Sequence, residues 1–214
     1  MDDGGESSGQ PGIRYPEAMD DDGNGEMFIQ LVLADSNLPT GSFVASSGLE
    51  SYFKHGFAGL FSSPEHALVT FIRQSIATYA RSALPFVTDA HRIASAAKCG
   101  QAALSSLLAL DQLYEASNLN HVSRRASTTQ GVALLTLFSK GLSTPPIHAD
   151  LFKGVPSLSQ PSSLLSGLVD EFKLLVRREE TPGHLPVCWG ILTAALSLSL
   201  GSHRSATILL VPCR

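Results

Sequence analysis

Apolar residues recur along the chain at the spacing of amphipathic helices. The clearest run follows Ser63-Pro64-Glu65, which combines an N-cap hydroxyl, a proline at the first helical position and an acid in the first turn. Its stripe, with Arg73 outside it, contains Leu68, Phe71, Ile72, Ile76 and Tyr79. We therefore predict a helix that begins at Pro64 and ends at Leu84-Pro85, because proline interrupts helical hydrogen bonding.

Four further helical stripes follow. Their members are, in chain order, Phe86, Ala90, Ile93, Ala94 and Ala97, ending near Gly100; Leu104, Leu107, Leu108 and Tyr114; Val122, Ala126, Thr129, Ala133 and Thr136; and Leu164, Leu165, Leu168, Val169, Phe172, Leu175 and Val176. The apolar run Leu185 to Leu200 is too short to span a bilayer, which takes about 20 residues, and predicts a buried helix. Alternating β-branched runs are absent from the sequence, so we predict an all-α, single-domain helical bundle.

The N-terminal part divides in two. Residues 1–26 carry eight acids against one arginine and few large apolar side chains, which predicts a disordered acidic tail. Residues 27–56 predict two short helices across a turn at 36–42, the second closed by Gly56. We therefore divide the chain into a tail at 1–26, an all-helical domain at 27–200 and a C-terminal tail at 201–214.

The charge and cysteine content limit the kinds of partner and the compartment that the sequence favours. Charged residues make up 16% of the chain, against about 25% in average proteins, so the surface is sparsely charged and favours a protein partner. The acidic tail accounts for a net charge of −7, and the rest of the chain carries only +3, without a basic run, which argues against nucleic-acid binding. Three widely spaced cysteines and the lack of a signal-peptide pattern at the N-terminus predict a cytoplasmic protein.

Catalytic and cofactor motifs are not evident. The seven histidines form no short-range pair typical of a metal site, and no serine stands in a GxSxG frame. No phosphate-binding glycine loop occurs. These absences predict a protein without a catalytic motif, a cofactor or a local metal site, and the alternative is a weak metal contact or one shared across a dimer. The pair Arg124-Arg125 and the cluster Arg177-Arg178-Glu179-Glu180 either form solvated helix faces or bind a carboxylate or phosphate of a partner.

Four segments carry a resemblance to a known family. The first is QLVLADSNLPTGSFVASSGLESYFKHG at 30–56, and the others are Leu84-Pro85-Phe86 with Asp89 to Arg92, Arg124-Arg125 through Gln130-Gly131, and His184-Leu185-Pro186-Val187 with Trp189-Gly190. In their order and spacing these segments resemble the urease accessory protein F family, over about residues 27–200.

The resemblance implies an all-helical, dimeric, non-catalytic cytosolic protein. Such proteins bind accessory protein D, called H in some bacteria, and recruit the GTPase accessory protein G to deliver nickel to apo-urease. It implies a partner-binding surface that contains Pro39, Gly41, Phe43, Ser47, Gly48, Glu50, Arg124 and Arg125. For Pro39 and Gly41 the alternative is a purely conformational role in the turn. Glu50 would face either the GTPase or an arginine on the solvent side.

The C-terminal residues depart from the family pattern. Residues 201–214 match none of its segments, and we expect a truncated or alternative ending that uncovers apolar faces of residues 161–200. Besides the scaffold, three hypotheses remain. The chain would supply Arg124 or Arg125 in trans to the accessory GTPase, act as a small helical hydrolase or metal enzyme, or be an inactive truncated variant of the family.

Overall fold

The computed structural model describes residues 48–142 and 163–199, together with Met27, Leu31 and Leu33. Residues 48–142 and 163–199 form six α-helices and no strand: α1 (Leu49–Lys54), α2 (Pro64–Ser95), α3 (Gly100–Ser117), α4 (His121–Leu137), α5 (Ser163–Arg177) and α6 (Leu185–Ala195). A 3-10 turn, Phe57–Leu60, follows α1, and a π-helical turn, Phe138–Leu142, extends α4. The all-α helical bundle predicted from the sequence is confirmed.

Helix α6 lies at the centre of the bundle. Every residue from Leu185 to Ala195 is buried, as predicted for a run that is apolar on all sides, but the helix ends at Ala195 and not near Leu200. A Cβ atom on Gly190 would lie 2.5 Å from the carbonyl oxygen of Val87 and 2.6 Å from the Cβ of Ala90. The missing side chain at Gly190 therefore allows α2 and α6 to pack backbone against backbone.

Helix α2 begins as predicted but does not end at Pro85. The Ser63 hydroxyl accepts a hydrogen bond from the His66 amide at 3.3 Å and caps the first turn. The helix then continues through Pro85 to Ser95, so the predicted break at Leu84-Pro85 is wrong. Pro85 lies on the exposed side of the helix, where the carbonyl that loses its hydrogen-bond partner is accessible to solvent, while the opposite face packs against α6.

The first half of α2 is less buried than its stripe predicts. Leu68 is exposed, and the rest of the stripe is only half buried. Helix α1 covers part of it, because the rings of Tyr52 and Phe71 lie 5.0 Å apart. Gly56, which follows α1, has a φ of +78°, which confirms its predicted position at the end of that helix.

The predicted buried stripe is confirmed for three residues of α5, whereas the buried face predicted for α4 is wrong. Helix α5 buries Leu168, Val169 and Phe172 from its predicted stripe. Helix α4 buries a different face from the one predicted: Val122 is exposed, and the buried residues are Ser127, Gln130, Gly131, Leu134 and Leu135. The reason is that α4 packs its small and polar side chains against backbone at the start of α6.

Several predictions lie outside the described residues. These are the acidic tail at 1–26, the turn at 36–42, the tail at 201–214 and the site residues Pro39, Gly41, Phe43 and Ser47. No helix in the described part of the chain is long and apolar enough to cross a membrane.

Candidate functional site

A buried carboxylate on α3 holds the segment that leads into α6. Asp111 has no exposed surface and accepts three hydrogen bonds: from the Thr181 hydroxyl at 2.6 Å, the Gly183 amide at 2.7 Å and the His184 amide at 2.9 Å. The two amides belong to the segment Thr181–Leu185, which leads into the N-terminus of α6 and is called here the entrance of α6. The dipole of the helix favours a negative charge at this end. Asp111 thus caps α6 from another helix, and these donors compensate the cost of burying its charge.

One turn further along α3, Glu115 joins a buried histidine to a surface arginine. Its Oε1 atom accepts a hydrogen bond from Arg124 at 2.7 Å, and its Oε2 atom lies 2.6 Å from Nε2 of His184. His184 is fully buried, and its Nδ1 atom has no hydrogen-bond partner among the described residues. Because an ionised carboxylate can only accept, the Nε2–H group of His184 is the donor of this hydrogen bond and Glu115 is the acceptor. The position of Arg124 is thereby linked to the start of α6.

Aromatic rings fill the space beside the hydrogen bond between His184 and Glu115. The Tyr114 ring meets Phe86 of α2 edge to face at 4.9 Å, and it meets the His184 imidazole in the same manner at 4.9 Å. Burial raises the pKa of the Tyr114 hydroxyl, so this ring stays neutral. The three rings join α2, α3 and the entrance of α6 in one cluster.

Helix α4 contacts the same entrance through small residues. The Ser127 hydroxyl accepts a hydrogen bond from the Leu185 amide at 3.1 Å. Gly131 lies so close to the Gly183 carbonyl that any side chain on it would collide with that oxygen. Gly183 itself has a φ of +73°, which favours glycine. The segments Arg124 to Gly131 and His184 to Gly190, far apart in sequence, therefore meet at the entrance of α6.

The two predicted arginines have different surroundings. Arg124 is partly exposed and held by Glu115. Arg125, the next residue, is exposed and forms no ion pair with any residue the structure describes. Exposed apolar side chains stand near them at the α3–α4 connection, with Leu119 90% and Val122 58% exposed. The connection between α3 and α4 therefore carries Arg124, which is held by Glu115, the unpaired Arg125 and the exposed apolar side chains of Leu119 and Val122.

The remaining predicted residues within the described part lie on α1. Gly48 precedes this helix with a φ of +90°, and Glu50 is exposed in its first turn. No hydrogen bond or ion pair found in the described ranges joins either residue to Arg124 or Arg125. A single partner-binding surface that joins Gly48 and Glu50 to the two arginines stays a prediction.

Sequence reasoning missed the acidic residues of this site. Asp111 and Glu115 were not singled out, although Asp111 continues the apolar stripe of α3 formed by Leu104 and Leu107. A carboxylate on the buried stripe of a helix needs hydrogen-bond donors from another element. The place of Asp111 on this stripe was therefore the sequence signal that could have identified it. Within the residues described, no three His, Cys, Asp or Glu side chains come together as a metal site.

Comparison with known proteins assigns the family. The model of the urease accessory protein UreF family matches residues 63–207. This chain belongs to the urease accessory protein F family. The chain is 41% identical over 201 residues to urease accessory protein 6 of Cryptococcus neoformans, covering 81% of this chain and 63% of the relative. No solved structure matches it.

More distant members of the family also match. An uncharacterized UreF-like protein of Schizosaccharomyces pombe is 28% identical over 179 residues, covering 84% of this chain and 64% of the relative. Urease accessory protein F of Oryza sativa subsp. indica is 38% identical over 109 residues, which is 51% of this chain and 37% of the relative. The chain thus spans just under two thirds of the length of the fungal relatives. The segments Arg124 to Gly131 and His184 to Gly190, which carry the resemblance noted in the sequence, meet at the N-terminal end of α6.

Proposed function

We propose that this chain acts in urease maturation as a non-catalytic scaffold. It binds accessory protein D or H, recruits the GTPase accessory protein G and assists nickel insertion into apo-urease, working as a homodimer in the cytoplasm. The observation that carries this proposal is the match of residues 63–207 to the UreF family. The nickel ion is the cargo of this process, and the chain itself uses no cofactor.

The partner surface that we propose includes the exposed arginines of α4. Glu115 orients the Arg124 guanidinium at 2.7 Å, so less side-chain entropy is lost when a partner carboxylate binds beside it. Arg125 offers an unpaired guanidinium, and arginine is enriched at the centre of protein interfaces. Leu119 and Val122 supply apolar area next to both. We extend the surface to Pro39, Gly41, Phe43, Ser47, Gly48 and Glu50 on the basis of the family segment that contains them.

Co-purification tests the scaffold directly. The full chain is expressed with accessory proteins D and G, and complexes are measured by size-exclusion chromatography with light scattering. We expect one complex that contains all three proteins and supports nickel-dependent urease activation. Failure of the wild-type chain to bind either protein, while urease accessory protein 6 of Cryptococcus neoformans binds both, would contradict the proposal.

An arginine substitution locates the surface. We expect Arg125→Ala to weaken the binding of one accessory partner by about tenfold or more, as for an interface arginine. The matched control is Arg92→Ala, which removes an exposed arginine on α2 that lies 4.0 Å from Asp89. Equal affinities of the two variants and the wild type would place the interface elsewhere.

A second candidate function is regulation of the GTPase by an arginine supplied in trans. The unpaired state of Arg125 favours this residue over Arg124, whose guanidinium is already engaged by Glu115. Such an arginine contributes about 10³-fold or more to turnover. GTP hydrolysis is measured in the assembled complex with Arg125→Ala and Arg125→Lys. A loss that lysine does not restore supports this role, and unchanged turnover with either variant rejects it.

A further inference from the structure

A basic groove runs between α4 and α5. It has a volume of about 270 Å³ and is lined by Val132, Leu135, Thr136, Lys140, Lys173, Val176 and Arg177. Valine and leucine side chains supply an apolar floor, and the three cationic side chains stand around it. Within the described ranges, none of these three cations forms an ion pair.

The arrangement of these cations is unfavourable without an anion. Lys173 and Arg177 are four residues apart on α5, where like charges repel each other on one helix face. Asp170, one turn before Lys173, forms no ion pair with it. Glu171, two residues before Lys173, also forms no ion pair with it among the described residues. Glu179 and Glu180, which follow Arg177, line an adjoining groove that shares Val132 and Val176 with the basic groove, and Glu180 lies 3.9 Å from Arg178. An anionic group bound in the basic groove would relieve the repulsion.

The chain itself contains a segment of matching chemistry. Residues 1–26 carry eight of its nineteen acids, and Asp20-Asp21-Asp22 directly follows Met19. Methionine is an unbranched, flexible apolar residue that fills irregular surfaces, and the three adjacent aspartates equal in number the three cations of the groove. The segment 143–162, which joins the π-helical turn to α5, holds one acid and one lysine and supplies no comparable charge.

We propose that the segment Glu17–Asp22 of this chain docks into the basic groove. Its carboxylates pair with Lys140, Lys173 and Arg177, and Met19 covers the floor between Val132 and Val176. Nine residues lie between Glu17 and Met27, so the ten Cα–Cα steps that join them span up to about 35 Å when extended, which is comparable to the diameter of a domain of this size. Attachment to the same chain raises the effective concentration of the segment to about the millimolar range, so individually weak surface pairs suffice. This contact is independent of the proposed function.

Zero-length cross-linking of the full wild-type chain tests the contact. A carbodiimide joins a lysine amine to a carboxylate only when the two groups touch, and peptide mass spectrometry maps the products. We expect cross-links from residues 17–22 to Lys140 and Lys173 in at least about tenfold higher yield than to the exposed control residues Lys54 and Lys98. The yield at the groove falls to the control level at 1 M salt, where the Debye length is about 3 Å.

Two variants and one mixing experiment make the test decisive. The tail variant Asp20→Asn, Asp21→Asn, Asp22→Asn removes the cross-links, and the groove variant Arg177→Glu reduces their yield at Lys173. In a mixture of ¹⁴N- and ¹⁵N-labelled protein, the cross-linked peptides carry a single label. Equal yields at all four lysines, yields insensitive to salt, or mixed-label products, which would show pairing between molecules, would each overturn the proposal.

Discussion

Helices α4 and α5 both pack against the central helix α6, yet they bury different kinds of residue. Helix α5 presents a continuous apolar stripe that includes Phe172. Helix α4 instead buries Ser127, Gln130 and Gly131 in its first half and turns to leucines only afterwards. The difference follows from the surface each helix meets: α5 meets apolar side chains, whereas α4 meets backbone amides and carbonyls at the entrance of α6. The following experiments separate these two kinds of packing.

Truncation of the apolar contact has the largest expected effect. Phe172 has no exposed surface, so Phe172→Ala removes a large buried ring and leaves a cavity. We expect a loss of about 3–5 kcal/mol in the free energy of unfolding, measured by urea denaturation. The control Leu174→Ala, at a side chain 44% exposed on the same helix, costs less than about 1 kcal/mol. Similar losses for the two variants would show that α5 does not pack as described.

The addition of one methyl group to α4 tests its contact with backbone. In Gly131→Ala the new Cβ collides with the Gly183 carbonyl, which belongs to the backbone and cannot rotate away. We expect a loss of about 2–3 kcal/mol in the same assay. Gly167→Ala on α5 is the matched control, because nothing lies within 4 Å of its Cβ position. That variant gains up to about 1 kcal/mol in helix propensity, and equal effects at the two glycines would refute the close approach.

The polar contact of α4 carries a smaller effect. Ser127→Ala leaves the buried Leu185 amide without its acceptor, and we expect a loss of about 1–2 kcal/mol in the free energy of unfolding. Thr129→Ala removes a hydroxyl that donates to the Arg125 carbonyl on the exposed face of the same helix. The expected change there is within about 0.5 kcal/mol. An equally mild effect at Ser127 would show that the Leu185 amide finds another partner.

A pH-dependent contact holds the residues that follow α6. His91 on α2 donates from Nε2 to the Leu198 carbonyl at 2.9 Å, and burial lowers the pKa of this imidazole, opposed by that hydrogen bond. The unfolded chain therefore binds a proton more readily than the folded chain. Stability is retained above about pH 6.5, the unperturbed value, and falls as the pH drops below it.

Thermal unfolding measured between pH 7.5 and 5 checks this expectation. His91→Gln keeps a donor for the Leu198 carbonyl but cannot titrate, so we expect the melting temperature to fall less steeply with decreasing pH than in the wild type. His121→Gln, at an exposed histidine, serves as the control and leaves the slope unchanged. A slope in His91→Gln identical to that of the wild type would assign the pH dependence to other groups.

Local sequence signals predicted the positions of the helices better than they predicted which helix faces are buried. Ser63-Pro64 marked the start of α2, and the stripe of α5 and the buried run of α6 were read correctly, because capping and apolar periodicity are local properties. Pro85 was wrongly taken as a helix end. The free-energy cost of a proline within the helix is offset by contacts of α2 with α6, such as that of Val87 with Gly190. These contacts join residues about a hundred positions apart, so no local sequence pattern reveals them.

The candidate site shows the same division. The sequence singled out Arg124 and Arg125 as partner-binding residues, but the acids that organise the entrance of α6, Asp111 and Glu115, were not recognised. The donors to Asp111 come from residues about seventy positions later in the chain. Their meeting depends on how three helices pack, and no spacing rule along the chain describes it.

The sequence by itself determined that this protein is helical, where α2 begins, which apolar run forms a buried helix and which family it resembles, because these depend on neighbouring residues and ordered motifs. The tertiary structure decided which face of α4 is buried, why Gly131 and Gly190 have no side chain and how Asp111 and Glu115 are satisfied. These outcomes depend on groups brought together from distant positions. A buried polar side chain or a bare glycine is favourable only when a particular backbone group lies against it, and folding alone brings that group into place.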